Sequence, residues 1–91
     1  MLYRNFGKTG KKVSILGFGC MRLPILEGNP ERINEPLATK MLYHAIDQGV
    51  NYVDTAYPYH GLDATQGGQS EILLGNALKD GYRDEVYLST K

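Results

Sequence analysis

The sequence predicts an α/β fold built on a parallel sheet, and three observations carry that prediction. Short apolar, β-branched or aromatic runs at "VSILGFG", "VNYVDTA" and "EVYLSTK" read as strands. Between them lie two segments, 34–49 and 70–81, with helical periodicity and helix-ending residues. Their alternation implies right-handed βαβ units whose strands run parallel in one sheet.

Each element is justified locally. In "MLYRNFGKTGKKV", apolar or aromatic residues flank "GKTGKK", whose glycines and lysines suit a turn, so a hairpin or extended lead-in is expected. "VSILGFG" is apolar enough for a strand buried on both faces, thinned near its end by Gly17 and Gly19. Residues 24–35, "PILEGNPERINE", carry proline, glycine and asparagine that break any period, and a loop is expected there. Asn34 as cap, Glu35 and Pro36 in the first turn and Gly49 past the end frame the first helix. Leu37/Ala38, Met41/Leu42 and Ala45/Ile46 recur every four residues and give it one apolar stripe. "VNYVDTA" is the second strand and "YPYHGLDATQGGQ" a glycine-rich loop. Ser70 is expected to cap the second helix, whose stripe is Ile72, Leu73, Ala77 and Leu78 and whose end is marked by Gly81. "EVYLSTK" is the last strand.

Ninety-one residues allow one domain at most. Ten basic residues balance ten acidic ones, which gives no reason to expect nucleic acid or an anionic membrane as partner. The single cysteine, Cys20, excludes an internal disulfide and an all-cysteine metal or iron–sulfur site within the chain, so a reduced, cytoplasmic setting and no metal are expected. No window approaches the roughly 18 apolar residues of a membrane span, and the basic N-terminus has no apolar run after it.

In parallel α/β architectures the working residues collect at the carboxyl ends of strands. Asp54 ends the second strand, Tyr59 lies in the loop after it and Lys91 ends the third, so an acid, a phenol and an ammonium are expected at neighbouring strand ends, where they can converge on one small volume. A lysine cation favours phenolate and makes a phenol a better general acid at neutral pH. The lysine in turn needs a carboxylate to remain charged in a pocket. Asp54-Thr55 also suits a plainer role, ending the strand by hydrogen bonding to the turn backbone.

The remaining candidates read as structural. Tyr57 is a wall residue of the same loop, His44 a solvent-side or packing residue of the first helix, and His60 a loop residue. "GFG" lacks the GxGxxG spacing and starts no helix, so a Rossmann phosphate site is not expected. Cys20 reads as a small buried hydrophobe rather than a reactive thiol.

"LGFGCMRLP", "GVNYVDTAYPYHG", "QSEILLGNAL" and "VYLSTK", in that order, resemble the N-terminal portion of the aldo-keto reductases over essentially the whole chain. The resemblance implies an incomplete (β/α)8 TIM barrel: a hairpin closing the bottom, then roughly β-α-β-α-β. Residues 1–91 would form part of one oxidoreductase domain, with no second domain. It implies NADPH-dependent reduction of an aldehyde or ketone without a metal, with a small carbonyl compound as substrate.

In the family's pattern a tyrosine five residues after the "DTA" aspartate donates the proton, and a lysine ends an "STK"-like strand. This puts Asp54, Tyr59 and Lys91 in the catalytic set, whose histidine ends the next strand and is not among these residues. By the same analogy Gly19, Met21, Arg22 and Asp54 would touch the nicotinamide of NADP(H). The contacts that grip the adenosine phosphate come from the second half of the barrel, so no cofactor is expected to be held securely by this chain alone. "DTAYPYHG" is also similar to a bacterial subgroup that often carries a C-terminal iron–sulfur domain, a feature that one cysteine does not carry over. "LDATQG" looks like an insertion in the loop above the site.

A complete barrel needs about 250 residues. Three strands and two helices leave both sheet edges unpaired, and such edges template association. The functional protein is therefore expected to continue past Lys91, with these 91 residues inactive alone for want of the histidine and the cofactor grip. The alternative is a non-catalytic remnant or association module that folds with itself or with a complementary fragment.

Overall fold

The computed structural model describes residues 1–61, 67–79 and 81–91. The expected N-terminal hairpin is present: β1 (Tyr3–Asn5) pairs antiparallel with β2 (Lys12–Ser14). A parallel sheet follows, of β3 (Phe18–Gly19), β6 (Tyr52–Asp54) and β7 (Tyr87–Ser89), with β6 in the middle. Phe18 pairs with Val53 and Val53 with Leu88; one step on, Gly19, Asp54 and Ser89 lie side by side. Helix α1 (Glu35–Asp47) connects β3 to β6, and α2 (Ser70–Ala77) with a short 3₁₀ turn (Tyr82–Glu85) connects β6 to β7. Among the described residues the α/β alternation is therefore as the sequence predicts, with both sheet edges open.

Helix α1 forms for local reasons. The Asn34 side chain accepts from the Leu37 amide at 3.3 Å, Pro36 sits in the first turn where its missing N–H costs nothing, and the chain leaves through Gly49 at φ +108°. A side chain on Gly49 would press on Met1 and Tyr3, because the N-terminal hairpin folds across this end of the sheet. Ala38, Leu42 and Ile46 are buried, whereas Leu37 and Met41 are each 44% exposed, so the stripe is narrower than predicted. The core joins these residues to Cys20, Leu23, Ile33, Val53, Leu73, Leu74, Ala77, Leu78 and Val86, with Tyr43 stacked on Tyr82 at 4.0 Å.

Four expectations are corrected. Residues 24–35 are not a structureless loop: β4 (Ile25–Leu26) and β5 (Asn29–Ile33) form a second hairpin, turned by Glu27 and Gly28 at φ +54° and +68°. Two central residues with positive φ are the mark of a type I′ hairpin turn, and Pro30 is tolerated because each strand of a two-stranded sheet is an edge. "VSILGFG" is not one strand buried on both faces. Val13 and Ser14 belong to β2, only Phe18 and Gly19 join the parallel sheet, and Ile15 and Leu16 are 56% and 60% exposed. Ile15 and Leu16 lie in the bend between β2 and β3, outside both sheets, where no layer covers them.

Ser70 is not a cap but the first helical residue; Gln69 occupies the cap position without a side-chain bond. The Ser70 hydroxyl is fully buried and engaged elsewhere. In α2, Leu74 takes the buried place expected of Ile72, which is 57% exposed, because the packed face runs through Leu73, Leu74, Ala77 and Leu78. The stretch 62–67 read as an insertion lies, Gly67 apart, outside the described residues.

Candidate active site

The parallel register brings the strand ends together. Asp54 lies between Gly19 and Ser89 at the carboxyl edge of the sheet. Main-chain bonds extend this alignment past the strands: the Cys20 amide donates to the Asp54 carbonyl at 2.9 Å, Thr55 N–H to Ser89 at 2.8 Å and Tyr57 N–H to Lys91 at 2.9 Å. Lys91 is thereby delivered opposite the loop that carries Tyr59.

There the three side chains meet. The Lys91 ammonium donates to both Asp54 oxygens, at 3.2 and 2.9 Å, and to the Tyr59 phenol oxygen at 3.2 Å. These bonds raise the Lys91 pKa above its ordinary 10.5, the Asp54 hydrogen bond first and the Tyr59 bond second, so the side chain is a cation at neutral pH. An ammonium has no lone pair to accept with, so the phenol keeps its own O–H free to donate outward.

Under this exposed cluster lies a neutral, buried layer. The Thr55 and Ser70 hydroxyls are 2.7 Å apart, and Ser70 Oγ donates to the Cys20 carbonyl at 3.2 Å, which ties together the ends of β3 and β6 and the start of α2. Burial, and then the Asp54 charge, push the Cys20 thiol up to about 12, so it carries no thiolate at neutral pH. Gly68 lies so close to Tyr59 that a Cβ would overlap the Tyr59 carbonyl. Thr90 also donates to Glu71, linking the last residues to α2.

Of the residues singled out from the sequence, Asp54, Tyr59 and Lys91 are therefore brought together, with Gly19 beside Asp54. Met21 and Arg22 lie in the exposed turn after β3 and do not join the cluster. Tyr57 is exposed at the loop's start. The sequence reading missed Thr55, Ser70 and Gly68 as supports. "GQSE" just before an apolar stripe suggests a cap, and only the fold shows where that hydroxyl goes.

The pattern of the aldo/keto reductase family matches residues 15–91. The chain belongs to the aldo/keto reductase family. Among solved structures, a Pseudomonas aeruginosa protein assigned as an aldo-keto reductase is 34% identical with a TM-score of 0.75, over 98% of this chain and 32% of its own. An aldo-keto reductase of Bacillus halodurans, solved in its holo form, is 32% identical with a TM-score of 0.73, over 99% of this chain and 25% of its own. A thermostable aldo-keto reductase solved with the inhibitor epalrestat is 28% identical with a TM-score of 0.69. This family member thus spans a third or less of the length of the structures it resembles. Among its described residues no helix is long and apolar enough to cross a membrane, and no cluster of potential metal ligands occurs.

Proposed function

We propose that this chain supplies the proton-transfer end of a carbonyl reductase whose complete form is a (β/α)8 barrel working with NADP(H) in the cytoplasm. The observation that carries the reading is the Lys91 ammonium, which bonds Asp54 and Tyr59 together. A small aldehyde or ketone would accept a hydrogen bond from the Tyr59 O–H. As negative charge grows on the carbonyl oxygen, the phenol proton moves to it, and the Lys91 cation stabilises the phenolate left behind. Asp54 holds that cation in place.

The residues present fit the nicotinamide end of the cofactor. A Cβ on Gly19 would meet nothing within 4 Å, so open space lies at the strand end beside Asp54, where a flat ring can approach. Gly19, Met21, Arg22 and Asp54 would border it, and the bound cofactor would supply the hydride. The grip on the adenosine phosphate falls to the remainder of the barrel.

The test is to join this chain at Lys91 to the segment that follows the third barrel strand of the Pseudomonas aeruginosa relative. The 91-residue chain alone is expected to show no aldehyde-dependent NADPH oxidation above buffer, and the completed barrel to show it. Tyr59→Phe in that barrel is expected to abolish reduction, at least 100-fold on the usual scale of general acid catalysis, while leaving NADPH binding largely intact. Turnover by the short chain, or equal loss of binding and reduction in Tyr59→Phe, would contradict the reading.

The open edges of β3 and β7 favour a second reading, self-association. Beside β7 a groove of about 420 Å³ is lined by Leu74, Leu78 and Leu88. Size-exclusion at several concentrations tests it; a monomer at all of them sinks it.

A further inference from the structure

His60 directly follows Tyr59, yet its ring turns inward and is 7% exposed, while the chain's other histidine, His44, lies exposed on α1. Its backbone is at φ +62°, and among the described residues only Glu27, in the type I′ turn, shares a positive φ without being glycine. That region costs any non-glycine residue free energy, which the surroundings of His60 must offset.

The surroundings are two backbone groups of a distant segment. The Leu23 amide donates to His60 Nε2 at 3.0 Å, and His60 Nδ1 lies 2.7 Å from the Pro30 carbonyl. An amide can only donate and a carbonyl only accept, so the partners fix the ring as the neutral tautomer with its proton on Nδ1. Leu23 lies between β3 and β4 and Pro30 is the second residue of β5, so the imidazole joins the segment entering the β4–β5 hairpin to its second strand beside the turn. On the other side, Ser70 N–H donates to the Tyr59 carbonyl and Gln69 N–H to that of His60, each at 3.2 Å. The Tyr59–His60 peptide is thus clamped between the start of α2 and the hairpin.

We propose that His60 is a positioning residue that bolts the Tyr59 loop to the β4–β5 hairpin through this tautomer-locked pair of hydrogen bonds and so sets the reach of the phenol to Lys91. The bolt is a statement about geometry; its catalytic meaning rests on the reading of Tyr59 as proton donor. Because both partners are main-chain groups, the ring alone carries the specificity of the contact.

The experiment is NMR on the full 91-residue chain, isotope-labelled. Long-range proton–nitrogen correlations are expected to show His60 protonated on Nδ1 and bare on Nε2. In His60→Asn, whose amide N–H sits one bond beyond Cγ as Nδ1 does and which tolerates the left-handed backbone, the nuclear Overhauser contact between the Tyr59 ring and the Lys91 side chain is expected to survive. In His60→Ala it is expected to vanish while the contact between the stacked Tyr43 and Tyr82 rings persists. An Nε2–H tautomer, a Tyr59–Lys91 contact unchanged in His60→Ala, or equal behaviour of the two variants overturns the proposal. Loss of the Tyr43–Tyr82 contact as well makes His60 a general folding residue and also overturns it. None of these outcomes depends on turnover, so failure of the reductase reading is scored separately in the completed barrel.

Discussion

The two ends of the parallel sheet are fastened by different means. At the carboxyl ends, the Thr55 and Ser70 hydroxyls, the Cys20 carbonyl and the His60 ring form a neutral, buried scaffold, and the charged Asp54–Lys91 pair rides on its exposed side. At the amino ends the fastening centres on one half-buried side-chain amide: Asn51 Oδ1 accepts from the Ser14 amide at 2.7 Å, and its Nδ2 donates to the Lys12 carbonyl at 3.0 Å. The Ser14 hydroxyl donates to Leu16 and accepts from Asn51 N–H, and Tyr3 OH reaches the Gly49 carbonyl. Exposed ion pairs are worth about 0–1 kcal/mol, whereas a buried hydrogen bond left half-made costs about 1–3 kcal/mol. The Lys91–Asp54 pair is therefore held in place by the neutral scaffold and does not hold it. One end is built to present a charged group, the other to close the sheet.

The strongest way to break that contrast is Gly68→Ala. Its Cβ would overlap the Tyr59 carbonyl, so the loop must move off α2 or the helix must shift. A loss of about 3 kcal/mol is expected, the upper part of the usual range for overpacking, together with loss of the Tyr59–Lys91 contact. Urea unfolding reads the first and NMR the second. If the variant is as stable as the parent with its phenol in place, the carboxyl-end scaffold is looser than the geometry implies.

Asn51→Ala sharpens the comparison from the other end. It removes both side-chain bonds to β2 and is expected to cost about 2 kcal/mol, freeing the hairpin to move. The Tyr59–Lys91 contact, built from groups beyond the far ends of the strands, is expected to be unchanged. A displaced phenol in Asn51→Ala would show that the two ends are coupled through β6 and that the contrast is false.

What the sequence revealed follows the range of the forces involved. Helix α1 was legible because Asn34, Pro36, Gly49 and the four-residue stripe all act within a turn of where they sit. The Asp54–Tyr59–Lys91 cluster was legible because alternation puts strand ends at one edge and because the motifs resemble a known pattern. The β4–β5 hairpin was not: its prolines and glycine look like breakers, and the ring that clasps Leu23 and Pro30 arrives some 30 residues later. Ser70 looks like a cap for the same reason, since its hydroxyl is claimed by Thr55 and by Cys20, 50 residues earlier. Ile15 and Leu16 look buried from the sequence and are not, because residue type shows apolarity but not that the chain bends between β2 and β3 and leaves them outside both sheets.

The smallest effect separates burial from charge at the carboxyl ends. Burial, and secondarily Asp54, raise the Cys20 pKa from 9.0 to about 12, so the folded chain keeps a proton that the unfolded chain releases as pH rises past 9.0. With the folded value raised, the stabilisation is fully present below pH 9.0 and is lost as pH climbs towards about 12. Lys91 and Tyr82 are raised as well, from 10.5 by hydrogen bonds to Asp54 and Tyr59 and from 10.0 by desolvation and Asp47, and their contributions fade in the same direction at higher pH. Between pH 9.0 and 10.0 the thiol is the first of the three to act. There the parent chain should lose stability with a slope of up to about 1.4 kcal/mol per pH unit, and Cys20→Ala, less stable at neutral pH for its lost packing, should run flatter. Urea midpoints measured across that interval decide it: parallel slopes would mean that the thiol is less enclosed than the neutral scaffold requires, and a flat mutant would place Cys20 firmly within it.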